Sequence, residues 1–291
     1  MPESRNSVRN PTYDQALMRE LFEVWNPLGA KGTFVLLRGY VDESYNAQVF
    51  TLSCLVAKGK TWDEFSRRWQ LVLAAWNKRL KAQGRPQLSR YHAVYCSNLK
   101  REFANWTTEE QQAFVIELIQ IFQKHRLDTI AYSIDLDEFK RIIPESLTEA
   151  QPNFNGYIYG PTTKLMLYEI ANRYGTQHPD TKVSIVYDRC PYSGVIADAF
   201  HQVSDDQHCE HRKIFTTIAE TGWEHCVPLQ PTDLVAYENF KDAVRKKNPR
   251  DRRRALKALV DLDSFGGRAR FMGTDAIAEW RQVLLAGGKV A

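Results

Sequence analysis

Three aspartates, Asp42, Asp188 and Asp233, occupy positions from which they could act together. Asp42 and Asp188 each follow a predicted strand, and Asp233 lies in the first turn of a helix that Pro231 opens. Ligands of α/β proteins usually bind where the strands end. Carboxylate oxygens suit Mg²⁺ and Mn²⁺, and two such ions about 3.5–4 Å apart can support phosphodiester hydrolysis by activating a water and stabilising the leaving oxygen.

Asp233 has the clearest physical basis among the three. At helical spacing it heads a stripe of apolar residues: Tyr237, Phe240 and Val244. A carboxylate at the head of an inward stripe must be paired, hydrogen-bonded or bound to metal. Each aspartate also has an ordinary explanation, namely a helix-dipole contact for Asp233 and a turn or strand-end position for Asp42 and Asp188. The prediction of a site therefore depends on the three converging, with Asp42 as the bridging ligand of one or two ions.

A basic segment at residues 241–257 contains nine basic residues against Asp242 and Asp251, although the whole chain carries a net charge of only +4. A basic face attracts polyanions, but a solvated pair of helices explains such a run equally well. The residues expected to position a nucleic-acid backbone are Lys241, Arg245, Lys246, Lys247, Arg250, Arg252, Arg253 and Arg254.

Hydrophobic patterning predicts the elements that position these residues. Residues 34–41 are continuously apolar and predict a central strand, residues 42–46 a polar turn, and residues 48–56 the second strand of a hairpin. Further strands are predicted at residues 90–95, 129–134 and 183–187. Helices are predicted at residues 61–83, 108–125, 160–174, 193–203 and 231–246.

This order predicts one α/β domain at residues 34–247, with a mixed sheet flanked by helices. An N-terminal arm at residues 1–33 carries a short helix at about residues 13–24. A helical C-terminal extension at residues 248–291 contains helices at residues 252–260 and 274–285, separated by a turn at Gly266 and Gly267. With 43% hydrophobic and 25% charged residues, the chain has enough apolar surface for a sizeable core.

Three short motifs resemble a bacterial protein family known as domain of unknown function 3800. Residues 40–44 (Tyr-Val-Asp-Glu-Ser) resemble its opening motif, and residues 91–93 (Tyr-His-Ala), followed by Glu102-Phe103 and Trp106, resemble a central element. Residues 229–236 (Leu-Gln-Pro-Thr-Asp-Leu-Val-Ala) resemble its closing signature. The order and spacing match over roughly residues 34–245, and the closing signature is the most specific of the three.

The resemblance implies a ribonuclease H-like fold and a metal-dependent nuclease-type site. Asp188 takes the place of an acidic residue after a late strand, and His92 becomes a candidate to contact a phosphate, position water or bind metal. A lone histidine is more often satisfied inside the fold, so both explanations of His92 stay open. Two positions depart from the family pattern without removing a carboxylate, because Tyr45 replaces a frequent glycine and Thr232 a usual alanine.

Glu43 and Glu238 are weaker candidates for auxiliary ligands. Glu43 points to the opposite face of an ideal strand from Asp42, so the turn would have to redirect it. Glu238 lies five positions beyond Asp233 and would point well away from it. Of the two, Glu43 is the better candidate, and it is included among the expected catalytic residues with His92 and the three aspartates.

We therefore expect a hydrolase of nucleic-acid phosphodiesters that uses Mg²⁺ or Mn²⁺. Members of the resembled family are similar to proteins found near mobile elements and antiphage systems, which suggests phage defence and a possible protein partner. One alternative is a non-catalytic nucleic-acid-binding subunit of a defence complex, and another is a metal-dependent nucleotide phosphohydrolase. DNA against RNA, endonuclease against exonuclease and oligomeric state stay open.

Other site types receive less support. The chain has no phosphate-binding loop, dinucleotide fingerprint or nucleophile-elbow motif. A zinc site could draw on the close pairs Cys209/His211 and His225/Cys226, but their spacing matches no standard finger. Five cysteines, an odd number without a Cys-x-x-Cys motif, indicate a reducing compartment. A polar N-terminus and apolar runs shorter than the ~18–20 residues of a membrane span lead us to expect a cytoplasmic protein that does not enter a membrane.

Overall fold

A computed structural model describes the following residues: 35–143, 154–177, 180–247, 253–260 and 265–285. The predicted N-terminal arm, with its helix at residues 13–24, lies outside the described residues. The same holds for residues 248–252, where the basic segment continues between two helices.

Within the described residues, six strands form one mixed sheet. The strands are β1 (Leu36–Tyr45), β2 (Val49–Lys58), β3 (Leu127–Asp135), β4 (Lys182–Asp188), β5 (Phe215–Thr221) and β6 (Phe265–Met272). Their order across the sheet is β5-β4-β1-β2-β3-β6, with β2 antiparallel to both neighbours and the other three pairs parallel. The predicted α/β class with a mixed sheet is confirmed.

Helices cover both faces of this sheet. In the described part of the chain they are α1 (Gly59–Ala82), α2 (Ala93–Ser97), α3 (Thr108–Lys124), α4 (Leu136–Ile142), α5 (Phe154–Gln177), α6 (Ser193–Asp205), α7 (Leu229–Lys247), α8 (Arg254–Val260) and α9 (Thr274–Leu285). One core gathers side chains of α1, α2, α3, α7 and α8, and we call its side of the sheet the α7 face. The other core gathers α4, α5, α6 and α9 on the α5 face.

The strand β1 divides its side chains between these two cores. Tyr40 packs into the core of the α7 face, edge-on to Trp62 with ring centroids 4.7 Å apart. Leu37 and Val41 pack into the core of the α5 face. Strand alternation therefore points Asp42 toward the α7 face and Glu43 toward the α5 face.

The predicted hairpin is present, but its turn begins later than expected. β1 continues through Tyr45, because residues 42–45 pair with residues 50–53 of β2. The turn is made by residues 46–48, where the side-chain oxygen of Asn46 accepts the backbone N–H groups of Gln48 and Val49 at 2.9 and 2.8 Å. The prediction that a turn begins at Asp42 is thus wrong, and this carboxylate stands on a rigid paired strand.

Three other predictions differ from the structure. The segment 90–95 is not a strand: its backbone bonds to side chains of α7, as described below, and the helix α2 begins at Ala93. The edge strand β5 was not predicted, because its largely polar sequence is only half covered. The strand β6 runs through Gly266 and Gly267, so the predicted turn there is wrong, and the C-terminal part adds a strand to the sheet beside β3.

Candidate active site

Asp42 and Asp188 lie at the same level on adjacent parallel strands. The strands β1 and β4 pair as far as Val41 and Tyr187, so these aspartates are the next residue on each strand. Paired residues of parallel strands point to the same side of a sheet, and both carboxylates therefore face α7. The sheet thus brings together two side chains that are far apart in the sequence.

Asp233 approaches the same place from the helix α7, which packs across β1 and β2. The helix begins at Leu229, so Asp233 lies in its second turn and not in the first turn as predicted. The expected inward stripe is confirmed, because Tyr237 and Phe240 are buried and Val244 packs against the same core. Burial of this stripe holds the helix so that Asp233 faces the strand carboxylates.

Burial and nearby charges raise the pKa values of these carboxylates. Burial raises the pKa of Asp42 well above its usual range, and the carboxylates of Asp233, Glu43 and Asp188 raise it further. Burial also raises the pKa of Asp233 to about 7, against the opposing effects of the Ala93 N–H and the Arg90 guanidinium. The pKa of Asp188 is raised by burial as well. Each ionised group is therefore costly in the folded protein unless a cation compensates it.

Glu43 joins this group from the opposite face of the sheet, as alternation predicts. Burial raises its pKa to about 7, the hydroxyl of Tyr159 lowers it, and Asp188 raises it. Tyr159 belongs to α5, and its hydroxyl group points toward Glu43 without reaching ordinary hydrogen-bond geometry. The hairpin turn lies beyond Glu43 and does not redirect it, yet Glu43 lines the same cleft as Asp42, Asp188 and Asp233.

Two polar side chains of α7 accept hydrogen bonds from the backbone of residues 91–93, the segment before α2. The side-chain oxygen of Gln230 accepts the Tyr91 N–H at 2.9 Å and the indole N–H of Trp69 at 3.1 Å. One carboxylate oxygen of Asp233 accepts the Ala93 N–H at 2.8 Å. His92 lies between these two anchors and therefore faces the carboxylates. Burial lowers the pKa of His92 to about 4, helped by the charges of Arg90 and Arg101.

These side chains line a cleft of about 590 Å³. Besides the carboxylates and His92, its walls include Arg90 and Trp223, whose guanidinium and ring stack at 3.7 Å, and the buried Gln230. Sequence reasoning missed these three residues. Arg90 and Gln230 adjoin or belong to the motifs at residues 91–93 and 229–236, which could have drawn attention to their positions. Their contacts with Trp223 and Trp69 join distant parts of the chain and leave no local signal.

The site suits a hard divalent cation by its donor atoms. Among the residues that the structure describes, no group of three or more His, Cys, Asp and Glu side chains is arranged to hold a metal ion. The charge of Asp188 nevertheless raises the pKa of each of the other three carboxylates, so these groups lie within range of its charge. Like charges repel when no cation lies between them. The residues thus fit Mg²⁺ or Mn²⁺ in oxygen type and in charge, and ligation requires the side chains to draw together.

The basic residues of α7 and α8 lie away from this cleft, and none of them is among its lining residues. Lys247 is 14 positions beyond Asp233, about 21 Å along a helix, and it binds Asp135 and Asp137 at 2.8 and 2.7 Å. The other described basic residues also have contacts within the protein: Arg245 and Lys246 with Asp242, Arg253 with Glu238, Arg254 with Gln112, and Lys241 with the ring of Tyr237. Arg250 and Arg252 lie outside the described residues.

The two cysteine–histidine pairs do not meet. Cys209 is buried in the core of the α5 face, and the ring of His211 contacts the hydroxyl of Thr176 at 3.1 Å. Cys226 packs against the core of the α7 face, on the other side of the sheet. The sheet therefore separates the residues that a zinc site would have to combine.

Comparison of the chain with known protein families, with curated proteins and with solved structures finds no match. Among the helices of the described residues, none is both long enough and apolar enough to cross a membrane.

Proposed function

We propose that this protein is a divalent-metal-dependent hydrolase of nucleic-acid phosphodiester bonds. The observation that carries the proposal is the convergence of Asp42, Asp188 and Asp233 from two adjacent strands and a covering helix into one cleft, where burial raises all three pKa values and neighbouring carboxylates add to the effect. A protein maintains such a cluster at a cost in stability. A bound cation would offset that cost, and the cluster would then serve as the metal site of the hydrolase.

The proposed fold type is ribonuclease H-like. Support comes from the mixed sheet with helices on both faces and from the motifs at residues 40–44, 91–93 and 229–236, each of which contributes a side chain to the cleft. The link to phage defence or a mobile element, and to a protein partner there, rests on the resemblance alone.

Each residue has a distinct proposed role. Asp42, Asp188 and Asp233 would hold Mg²⁺ or Mn²⁺, with Asp42 central because it stands between the other two. The ion would supply Lewis-acid stabilisation of charge at the phosphate. His92 is neutral near pH 7 because its pKa is about 4, so its ring can accept a hydrogen bond and orient a water without adding charge. Glu43, with a pKa of about 7, can hold or release a proton on the far side of Asp42.

The proposal is tested by Mn²⁺-dependent cleavage of labelled DNA and RNA with wild type and Asp42→Asn. Loss of an outer-shell partner of a metal ligand commonly costs about 10–100-fold, so loss of a direct ligand should lower the cleavage rate at least about 100-fold. The matched control is Asp198→Asn, since Asp198 is exposed on α6 and outside the cleft. Equal cleavage by wild type and Asp42→Asn overturns the proposal.

The same assay separates the two alternatives. Hydrolysis of nucleotides and small phosphate esters, without cleavage of polymers, indicates a nucleotide phosphohydrolase. Nucleic-acid binding with no hydrolysis of any substrate in Mg²⁺ or Mn²⁺ indicates a non-catalytic binding subunit.

A further inference from the structure

Two arginine–aromatic pairs lie at or next to the cleft. Arg90 and Trp223 line it, whereas Arg101 and Tyr95 lie outside its lining and contact it through His92. The guanidinium of Arg90 lies over the ring of Trp223, 3.7 Å from its centroid, and the guanidinium of Arg101 lies over Tyr95 at 4.5 Å. The Tyr95 ring also packs on His92, with centroids 4.1 Å apart. Positive charge and aromatic surface therefore occur together in the acidic cleft and directly beside it.

The donors of Arg90 are not used by the fold. In the part of the chain that the structure describes, its guanidinium forms no hydrogen bond and no close ion pair, although the charges of Asp233 and Asp188 act on it. Stacking on an aromatic ring fixes the plane of a guanidinium and leaves its N–H groups pointing outward, which suits two-point binding of a phosphate. The Arg90 guanidinium is thus oriented so that it could bind a phosphate beside the carboxylates.

Exposed apolar side chains gather at the same cleft. Among the described residues the large hydrophobic side chains that stay exposed are Tyr45 (49%), Leu71 (56%) and Val94 (39%). Tyr45 and Val94 both line the cleft, whereas Leu71 lies on α1 and outside it. Clustering of exposed apolar surface around a polar recess is typical of a binding site and not of chance exposure.

The backbone beside Tyr95 is also held in a costly conformation. Leu99 and Arg101 have φ values of 50° and 53°, in the left-handed region that residues other than glycine rarely occupy. This bend follows α2 directly and carries Arg101 back to the Tyr95 ring. Such conformations concentrate where a binding or catalytic geometry has to be maintained.

We propose that the cleft binds single-stranded nucleic acid, with a phosphate on Arg90 and unpaired bases against Tyr45, Trp223 and the Arg101–Tyr95 pair. Aromatic rings and guanidinium planes can stack on bases only when the base faces are exposed, as in single strands and not inside a duplex. The inference names the substrate class of the proposed hydrolase and rests on that function for its chemistry. The binding itself does not require cleavage.

The test is fluorescence anisotropy in Ca²⁺ with labelled oligothymidine, oligouridine and a DNA duplex of mixed sequence and equal length. We expect wild type to bind single strands at least tenfold more tightly than duplex. Removal of one stacking residue typically weakens single-strand binding by about 5–100-fold, so Trp223→Ala and Tyr45→Ala should fall in that range and Trp223→Phe should retain most of the affinity. Arg90→Ala should weaken binding at least tenfold, and Arg90→Lys only partly restores it. The two single-strand arms show whether DNA or RNA is preferred.

Matched controls are Leu71→Ala for exposed apolar surface and Arg67→Ala for exposed positive charge, both on α1 and outside the cleft. The inference is overturned if duplex binds as tightly as single strands, or if the cleft variants lose no more affinity than these controls. Mn²⁺-dependent cleavage of the same single strands and duplex is measured in parallel. Cleavage without preferential single-strand binding contradicts this inference alone, and single-strand binding without cleavage of either substrate contradicts the proposed function alone.

Discussion

The Nδ1 atom of His92 lies 3.5 Å from the Oδ2 atom of Asp233, and the same oxygen accepts the backbone N–H of Ala93 at 2.8 Å. One carboxylate on α7 thus binds the backbone of the segment before α2 and lies beside its imidazole, which also packs on the ring of Tyr95. The contact between His92 and Asp233 is not an ion pair at neutral pH, since the pKa of His92 is lowered to about 4. Asp233 has the higher pKa of the two, about 7, so a proton held by the pair stays on the carboxylate and the ring stays neutral.

His92→Ala should lower the Mn²⁺-dependent cleavage rate by about 10–100-fold, the usual cost of losing a group that orients a metal ligand. The pH–rate profile should keep its shape, because His92 does not change its charge between pH 5 and 9. His92→Gln, which keeps a hydrogen-bonding side chain, should recover part of the rate. If wild type shows a limb near pH 6.5 that His92→Ala lacks, the histidine titrates and its role is different.

Asp233→Asn should stabilise the metal-free protein at pH 8. The pKa of Asp233 is about 7 in the folded state and about 3.9 in an unfolded chain. Ionisation of this group therefore favours the unfolded state increasingly as pH rises from about 4 to 7, and the full effect is present at pH 8. We expect a gain of about 1–3 kcal/mol at pH 8, after allowance for coupling to the other carboxylates, and little gain at pH 4. Urea unfolding in EDTA measures both, with the exposed Asp198→Asn as control. A loss of stability at pH 8 contradicts the repulsion on which the site is based.

The stability of the wild-type protein should depend on both pH and bound metal. Because folding raises the pKa values of Asp42, Glu43 and Asp233, the folded state binds more protons than the unfolded state between about pH 4 and 7. In EDTA these groups therefore make the free energy of unfolding fall as pH rises through that range. Mn²⁺ should raise the unfolding temperature at pH 8 and much less at pH 5, where protons compete for the carboxylates. Differential scanning fluorimetry at both pH values distinguishes this result from a metal effect that does not change with pH.

Gln230→Leu should both destabilise the protein and disturb the site. It leaves the N–H groups of Trp69 and Tyr91 without their shared acceptor, at a cost of about 1–3 kcal/mol for each buried donor. It also releases one of the two anchors that hold the segment around His92. Urea unfolding should show the loss, and cleavage measured at a temperature where the variant is folded should also be reduced. Gln230→Glu, which keeps the acceptor, should recover cleavage more than stability.

The main features of the fold could be predicted from hydrophobic periodicity, because buried strands and amphipathic helices carry strong local signals. The continuous apolar run predicted the strand β1, and the apolar stripe that follows Asp233 predicted the inward face of α7. The strands β5 and β6 could not be recognised, since β5 is a largely polar edge strand and β6 contains Gly266 and Gly267. Their pairing with β4 and β3 depends on the rest of the sheet and not on their own sequences.

The site was predictable in its carboxylates and not in its walls. Asp42, Asp188 and Asp233 have positions that strand ends and helical spacing make visible. Arg90, Trp223 and Gln230 gain their roles from contacts across more than a hundred residues of chain, which no local pattern encodes. For the basic segment the sequence predicted a role that the contacts do not favour. The charge of a residue such as Lys247 does not reveal that its partners are Asp135 and Asp137 within the protein.

Arg253→Ala should be among the most destabilising changes outside the cleft. Both carboxylate oxygens of Glu238 are bound by the Arg253 guanidinium at 3.0–3.2 Å, and Glu238 is only 2% exposed. Removing the arginine leaves a buried carboxylate without its partner, which costs about 3–5 kcal/mol in comparable sites. The double variant Glu238→Gln/Arg253→Ala removes the charge as well and should recover part of the loss.

This pair also separates a structural from a nucleic-acid-binding role of Arg253. The same guanidinium reaches the Ser97 hydroxyl at 3.2 Å and so connects α8 to α2 and α7. If Arg253 serves the fold, the double variant should bind single-stranded DNA within about twofold of wild type once its stability is recovered. If Arg253 contacts the nucleic acid, the double variant should lose affinity and the salt dependence of binding should decrease by about one phosphate contact. Thermal unfolding and anisotropy on the same three proteins decide between these outcomes.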